Sequence, residues 1–210
     1  MSLSQWTISR SITSGTNIVS EVSAGAMEGG YSLRIQTAGA GQHILGLTTG
    51  ATITTGKVRS LVKLSSLSDS ASVARALGVF GMMQSSLAYG SNAYWAQIRG
   101  TATSNPFLTQ VGLVKGGIDA SFLSGTTATK NANKDAVVCI ELLWQKDTGT
   151  GQILLTGSVG NATDFSDLAV FGTYTDNSSP YSAGVSAGIM ASSGGGDQYF
   201  LHDITQIFRV

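Results

Sequence analysis

Apolar and polar positions alternate with a period of two along most of the chain. In YSLRIQT, Tyr31, Leu33 and Ile35 fall on one side and Ser32, Arg34 and Gln36 on the other. That alternation predicts a strand with one face buried. The same pattern predicts strands over residues 4–12, 43–49, 91–100 and 107–117. Within 51–64, Val58 and Val62 oppose Lys57, Arg59, Leu61 and Lys63. The most apolar run, DAVVCIELLWQKD at 135–147, is followed by TGTGQ and then ILLTGSVG. Two such runs around a short Gly-containing turn predict a hairpin, 137–144 against 152–159. Further strands are expected at 168–174 and 185–192. A closing strand at 199–210, YFLHDITQIFRV, is entered from a turn at glycines 194–196.

One segment reads two ways. SDSASVARALGVFGMM, 68–83, opens with helix-capping residues and alanines. As a helix it would enclose Gly78 and Gly81, each costing about 1 kcal/mol relative to Ala. A strand from about 73 to 82 is therefore preferred. The stretches 13–30, 101–107 (with a turn at Asn105-Pro106), 116–135 and 160–182 read as polar connections. Ten or more short strands, Gly-rich turns, no fixed-period repeat and no linker predict one all-β domain spanning 1–210. Its expected architecture is a jelly-roll sandwich of two antiparallel sheets.

Composition narrows the function. Charged residues are 11% of the chain and the formal net charge is zero, against about 25% charged in an ordinary domain. Nucleic-acid binding rests on basic residues that neutralise phosphates, so no nucleic-acid partner is expected. No apolar run approaches the length of a membrane span, and MSLSQWTISRSI lacks the layout of a secretory signal. A soluble chain with no membrane partner is expected. A neutral, hydroxyl-rich surface suits an assembly, such as a homo-oligomer, or contact with neutral ligands such as sugars.

The candidate chemistry is sparse. Glycoside hydrolysis needs two facing carboxyl groups, and Glu141 stands alone in its strand. No phosphate-binding loop is present. His202 and Asp203 are adjacent, and adjacent strand residues face opposite ways. Cys139, the single cysteine, sits in an apolar run and reads as a core residue, as His43 and His202 read as sheet residues. No catalytic residue is expected. NATDFSDL, with Asn161, Asp164 and Asp167, offers three oxygen ligands for a structural calcium, although Asp and Asn are also common turn residues. Aromatic platforms for a sugar are Tyr89, Tyr94, Trp95, Tyr174 and Tyr181. If Tyr94 faces the core, Trp95 points outward beside Gln97 and Arg99. The candidate carbohydrate-binding set is Trp95, Gln97, Arg99, Tyr174 and Tyr181.

Three pieces of the second half carry a family resemblance: VCIELLWQKDTGTGQILLTGSVG, GVSAGIMASSGGG and QYFLHDITQIF. They resemble the apolar hairpin, Gly-rich strand and final strand of the concanavalin A-like, laminin-G-like jelly rolls. That superfamily holds lectins, sugar-binding modules, hydrolases and bacteriophage virion proteins, so the resemblance implies fold rather than function. Many of its sugar-binding members carry a structural calcium. Low charge, no catalytic cluster and Thr/Ser/Asn/Gly-rich loops are similar to phage head-decoration and tail-associated jelly rolls. The resulting expectation is a non-catalytic virion structural or capsid-decoration protein, located in the virion and acting through contacts with virion subunits. The alternative is a carbohydrate- or receptor-binding lectin-like module.

Overall fold

The computed structural model describes residues 7–12, 17–22, 32–66, 74–84, 87, 91–101, 107–132 and 136–209. Trp6, Tyr31, Tyr89 and the Asn105-Pro106 turn lie outside the described residues. Among the described residues twelve strands follow one another: β1 Thr7–Ile12, β2 Asn17–Val22, β3 Ser32–Ile53, β4 Gly56–Ser66, β5 Ala74–Met83, β6 Ala93–Thr101, β7 Phe107–Gly116, β8 Ala128–Ala132, β9 Val137–Lys146, β10 Ile153–Gly160, β11 Ala169–Asp176 and β12 Gly184–Arg209. All pairings are antiparallel. Among the described residues there is no helix, so none is long and apolar enough to cross a membrane.

Two of these strands are too long to be straight. β12 has 26 residues and would extend about 85 Å at 3.3 Å per residue. A globular domain of this length is roughly half that across. β12 therefore bends, and β3, with 22 residues, bends beside it. The bend falls between Gly194 and Asp197 of β12, opposite Ala40 and Ala38 of β3, where the register shifts. One extra residue on β12 makes a bulge that turns it.

Past the bend the two strands change sheets. The later half of β12 lies between β4 and the earlier half of β3, giving a first sheet ordered β2-β3-β12-β4-β9-β10-β11. The earlier half of β12 lies between β5 and the later half of β3, giving a second sheet ordered β1-β3-β12-β5-β6-β7-β8. This is the expected two-sheet jelly roll. Three expectations change within it. The AGAGQ and glycine 194–196 segments are corners inside continuous strands rather than turns between short ones. The 13–30 connection contains β2, and the 116–135 connection contains β8. Of the ambiguous 68–83 segment, the described residues 74–83 form strand β5, as preferred.

The core lies between the sheets. Val58, Val62, Ile140, Leu142, Trp144 and Leu155 of the first sheet meet Leu77, Val79, Tyr94, Ala96, Leu113 and Ile189 of the second. Two smaller clusters sit on the outer faces. On the second sheet, Phe80, Trp95, Val114 and Met190 are roofed by Ile118, Ala120 and Phe122 from the β7–β8 connection. Gly116, at φ +117°, turns the chain into this roof, and a Cβ on Gly112 would collide with the Phe122 ring. On the first sheet, Phe165 covers Leu61 and Cys139, with Val137 and Leu168 packed against them. Elsewhere on that face Leu154, Val170 and Phe208 are exposed.

Candidate functional site

The structure splits the five expected sugar-binding residues into two groups. Trp95, Gln97 and Arg99 do share the outward face of β6, but the roof covers that face. Trp95 is fully buried, with its ring 5.1 Å from that of Phe80 and its indole N–H donating to the Gly116 carbonyl at 2.8 Å. Gln97, also fully buried, donates to the Ile118 carbonyl at 3.0 Å. Arg99 donates to Gln97 Oε1 at 2.7 Å and to the Ala120 carbonyl at 2.6 Å, and its guanidinium lies over Phe122 at 4.5 Å. Burial pulls its pKa below the ordinary arginine value. The expectation that Trp95 offers an outward stacking face is thus corrected. The alternation of Tyr94 and Trp95 is real, but the outer side of β6 is a second, smaller core. Its signal in the sequence is the apolar content of 118–123, too high for a solvated loop.

Tyr174 and Tyr181 lie on the other side, packed at the margin of the main core. The Tyr181 ring is 4.7 Å from that of Tyr94, and its backbone N–H donates to the Tyr94 hydroxyl at 3.1 Å. Tyr94 in turn donates to Asp176 at 2.5 Å, and Lys115 Nζ meets the same carboxylate at 2.7 Å. Lys115 also donates to the carbonyls of Ser178 and Ser179. Burial, then Asp176, raises the phenol pKa of both tyrosines above the ordinary value. This network closes the end of the sandwich and holds the 177–183 segment.

The expected calcium loop does not fit a cation. Both oxygens of Asp167 accept backbone N–H groups, from Asn161 at 2.8 and 3.0 Å and from Ala162 at 2.8 Å. Asp164 accepts the Ser166 N–H at 3.0 Å. Hydrogen bonds hold both carboxyls below the ordinary aspartate pKa, from the Ser166 side chain and then its backbone for Asp164, and from the Ala162 and Asn161 amides for Asp167. A calcium site converges oxygens on a point, whereas here the carboxylates face donors of their own loop. Among the described residues no group of three or more His, Cys, Asp or Glu is placed to hold a metal. Asp167 also accepts from the Cys139 thiol at 3.7 Å, and burial pushes that thiol up to about 11.

The open surface is the outer face of the first sheet. Leu154 is 40% exposed, Val170 61% and Phe208 37%. Register places Phe208, Lys57, Leu143, Thr156 and Thr173 in one row across the sheet. The next row is Gln206, Arg59, Glu141 and Ser158. Lys57 sits 5.0 Å over the Phe208 ring and pairs with Glu141 at 3.6 Å. Arg59 donates to Gln206 Oε1 at 2.7 Å. Its guanidinium lies 4.4 Å from the Phe165 ring and 5.4 Å from that of Phe208. An exposed aromatic ring framed by an amide, a guanidinium, a carboxylate and hydroxyls offers both a stacking surface and directional hydrogen bonds. Neither Phe208 nor Arg59 was among the expected site residues. Their alternation with core residues is visible in the sequence, but their meeting depends on the β4–β12 register.

No protein-family model matches the chain. No curated protein matches it in sequence. Solved structures share its fold over nearly its whole length. It is similar to the VIP36 exoplasmic/lumenal domain in a Ca2+/Man3GlcNAc-bound form, with TM-score 0.56, 10% identity and coverage of 100% of this chain and 85% of that one. The potassium-bound Emp46p carbohydrate recognition domain gives 0.54 and 13%, covering 99% and 89%. The cellulose induced protein Cip1 gives 0.58 and 14%, covering 100% and 94%. Identities this low speak for the fold. They correct the expectation of a virion structural or decoration protein: the structures that share the whole fold include carbohydrate recognition domains. Virion subunits as partners go with it.

Proposed function

We propose that the chain is a non-catalytic, lectin-like carbohydrate-binding module that holds its glycan on the outer face of the first sheet. The observation that carries this reading is Phe208, an exposed ring in a polar frame on the outer face of the first sheet, beside the part that Phe165 covers. The apolar C–H side of a pyranose lies against the ring, and the frame pairs with its hydroxyls. The likeness to carbohydrate recognition domains supports the same reading. The acids favour binding over reaction: Asp176, Asp164 and Asp167 are committed to internal partners, and Glu141 to Lys57. No metal is assigned a role, because the 161–167 loop turns its carboxylates onto its own amides. A single ring face and a few hydrogen bonds correspond to dissociation constants on the order of micromolar to millimolar.

A glycan array followed by titration tests this. The wild-type chain is expected to bind at least one glycan class, and Phe208→Ala to weaken that binding tenfold or more while keeping the wild-type melting temperature within a few degrees. Binding that survives Phe208→Ala moves the site elsewhere, and an array with no bound glycan rejects the module.

A further inference from the structure

Resting on that reading, we infer that the glycan is acidic, carrying a carboxylate or sulfate that Arg59 receives. Arg59 is held for this task on three sides. Phe165 and Phe208 flank its guanidinium, and Gln206 accepts from its Nε. The plane of the fork is thereby set before a ligand arrives, which lowers the ordering cost of binding. The residue directly opposite it on β9 is Glu141, and opposite charges facing each other across a sheet ordinarily pair. Here Glu141 pairs with Lys57 instead, at 3.6 Å. Among the described residues no acceptor takes the Nη groups of Arg59. A guanidinium with its terminal nitrogens open presents two parallel N–H donors, the geometry that a planar carboxylate or a sulfate accepts in bidentate fashion. A sugar stacked on Phe208 shares that ring with Arg59, so an acidic substituent at its rim meets the fork.

The test titrates the wild-type chain against polygalacturonate, alginate and hyaluronan, and against the neutral polymers galactan, dextran and mannan. Polygalacturonate is expected to bind at least tenfold more tightly than galactan, with the preference shrinking in 0.5 M NaCl as screening shortens to about 4 Å. Arg59→Gln is expected to erase the preference and Phe208→Ala to weaken both. Equal or tighter binding of the neutral polymers overturns the inference and leaves the carbohydrate-binding reading intact. Binding to none of the six, with an empty array, overturns both. The wild-type comparison decides the matter even if a variant fails to fold.

Discussion

Tyr94 and Asp176 lie 82 residues apart and share a buried hydrogen bond of 2.5 Å between the two sheets. The bond joins β6 of one sheet to the end of β11 of the other, at the point where the 177–183 segment leaves. Both partners have second duties. The Tyr94 oxygen accepts the Tyr181 N–H, and Asp176 accepts from Lys115.

Tyr94→Phe removes the donor to a buried carboxylate and the acceptor of a backbone N–H together. Leaving such groups unsatisfied costs about 1–3 kcal/mol. Urea unfolding is expected to show a lower midpoint with an unchanged slope. A midpoint equal to wild type would mean that the bond contributes nothing net.

Acid is expected to weaken the fold through His202. The imidazole is fully buried, with Nε2 3.2 Å from the Met190 carbonyl and Nδ1 3.2 Å from Ser60 Oγ. A carbonyl only accepts, so Nε2 carries the proton, and Nδ1 competes with the Leu61 carbonyl, 3.0 Å away, for the single Ser60 hydroxyl proton. Burial lowers the folded-state pKa from 6.5 to about 4. Between those values the unfolded chain binds a proton that the folded chain refuses, so stability falls as pH falls. The loss begins near pH 6.5, ends near 4 and amounts to roughly 3 kcal/mol. Asp147, Asp164 and Asp167, whose pKa values lie below 3.8, act only in a lower range. Urea midpoints measured from pH 7.5 to 4 check this, and His202→Gln is expected to flatten the curve. An equally steep curve in the variant would assign the effect to other groups.

The 161–167 loop is expected to behave as a hydrogen-bonded cap. Its melting temperature should not change on adding calcium or a chelator. Asp167→Ala releases the Asn161 and Ala162 amides and loosens the lid that Phe165 forms over Cys139. A disulfide reagent is expected to label Cys139 slowly in the wild type and at least tenfold faster in the variant. Equal rates would show that Asp167 does not keep the lid closed.

Local pattern carried much of this fold and little of the site. The alternation from Lys57 to Lys63 set the faces of β4 correctly, and the apolar runs on either side of TGTGQ paired as β9 and β10. The continuity of β3 and β12 was hidden because a run of glycines in isolation reads as a turn. Only the partner strand, with Ala38 and Ala40 alongside, makes it a corner. Trp95 was a reasonable candidate by alternation, and was displaced because Ile118 and Phe122, more than twenty residues later, return to cover it. Phe208 and Arg59 became a pair through register, a long-range property that neighbouring residues do not encode.

The sharing of β12 by both sheets has a consequence for how the molecule is made. On the ribosome, the described strands β1 to β11 emerge before β12, which stands between β3 and β4 in one layer and β3 and β5 in the other. Until then Leu33 and Val62 wait for a common neighbour, His202, whose codon comes about 140 later than that of Val62. Pairings so distant in sequence slow the search for the native state, and they leave exposed strand edges in the meantime. Nascent chains stalled before Gly184 are therefore expected to be substrates for chaperones.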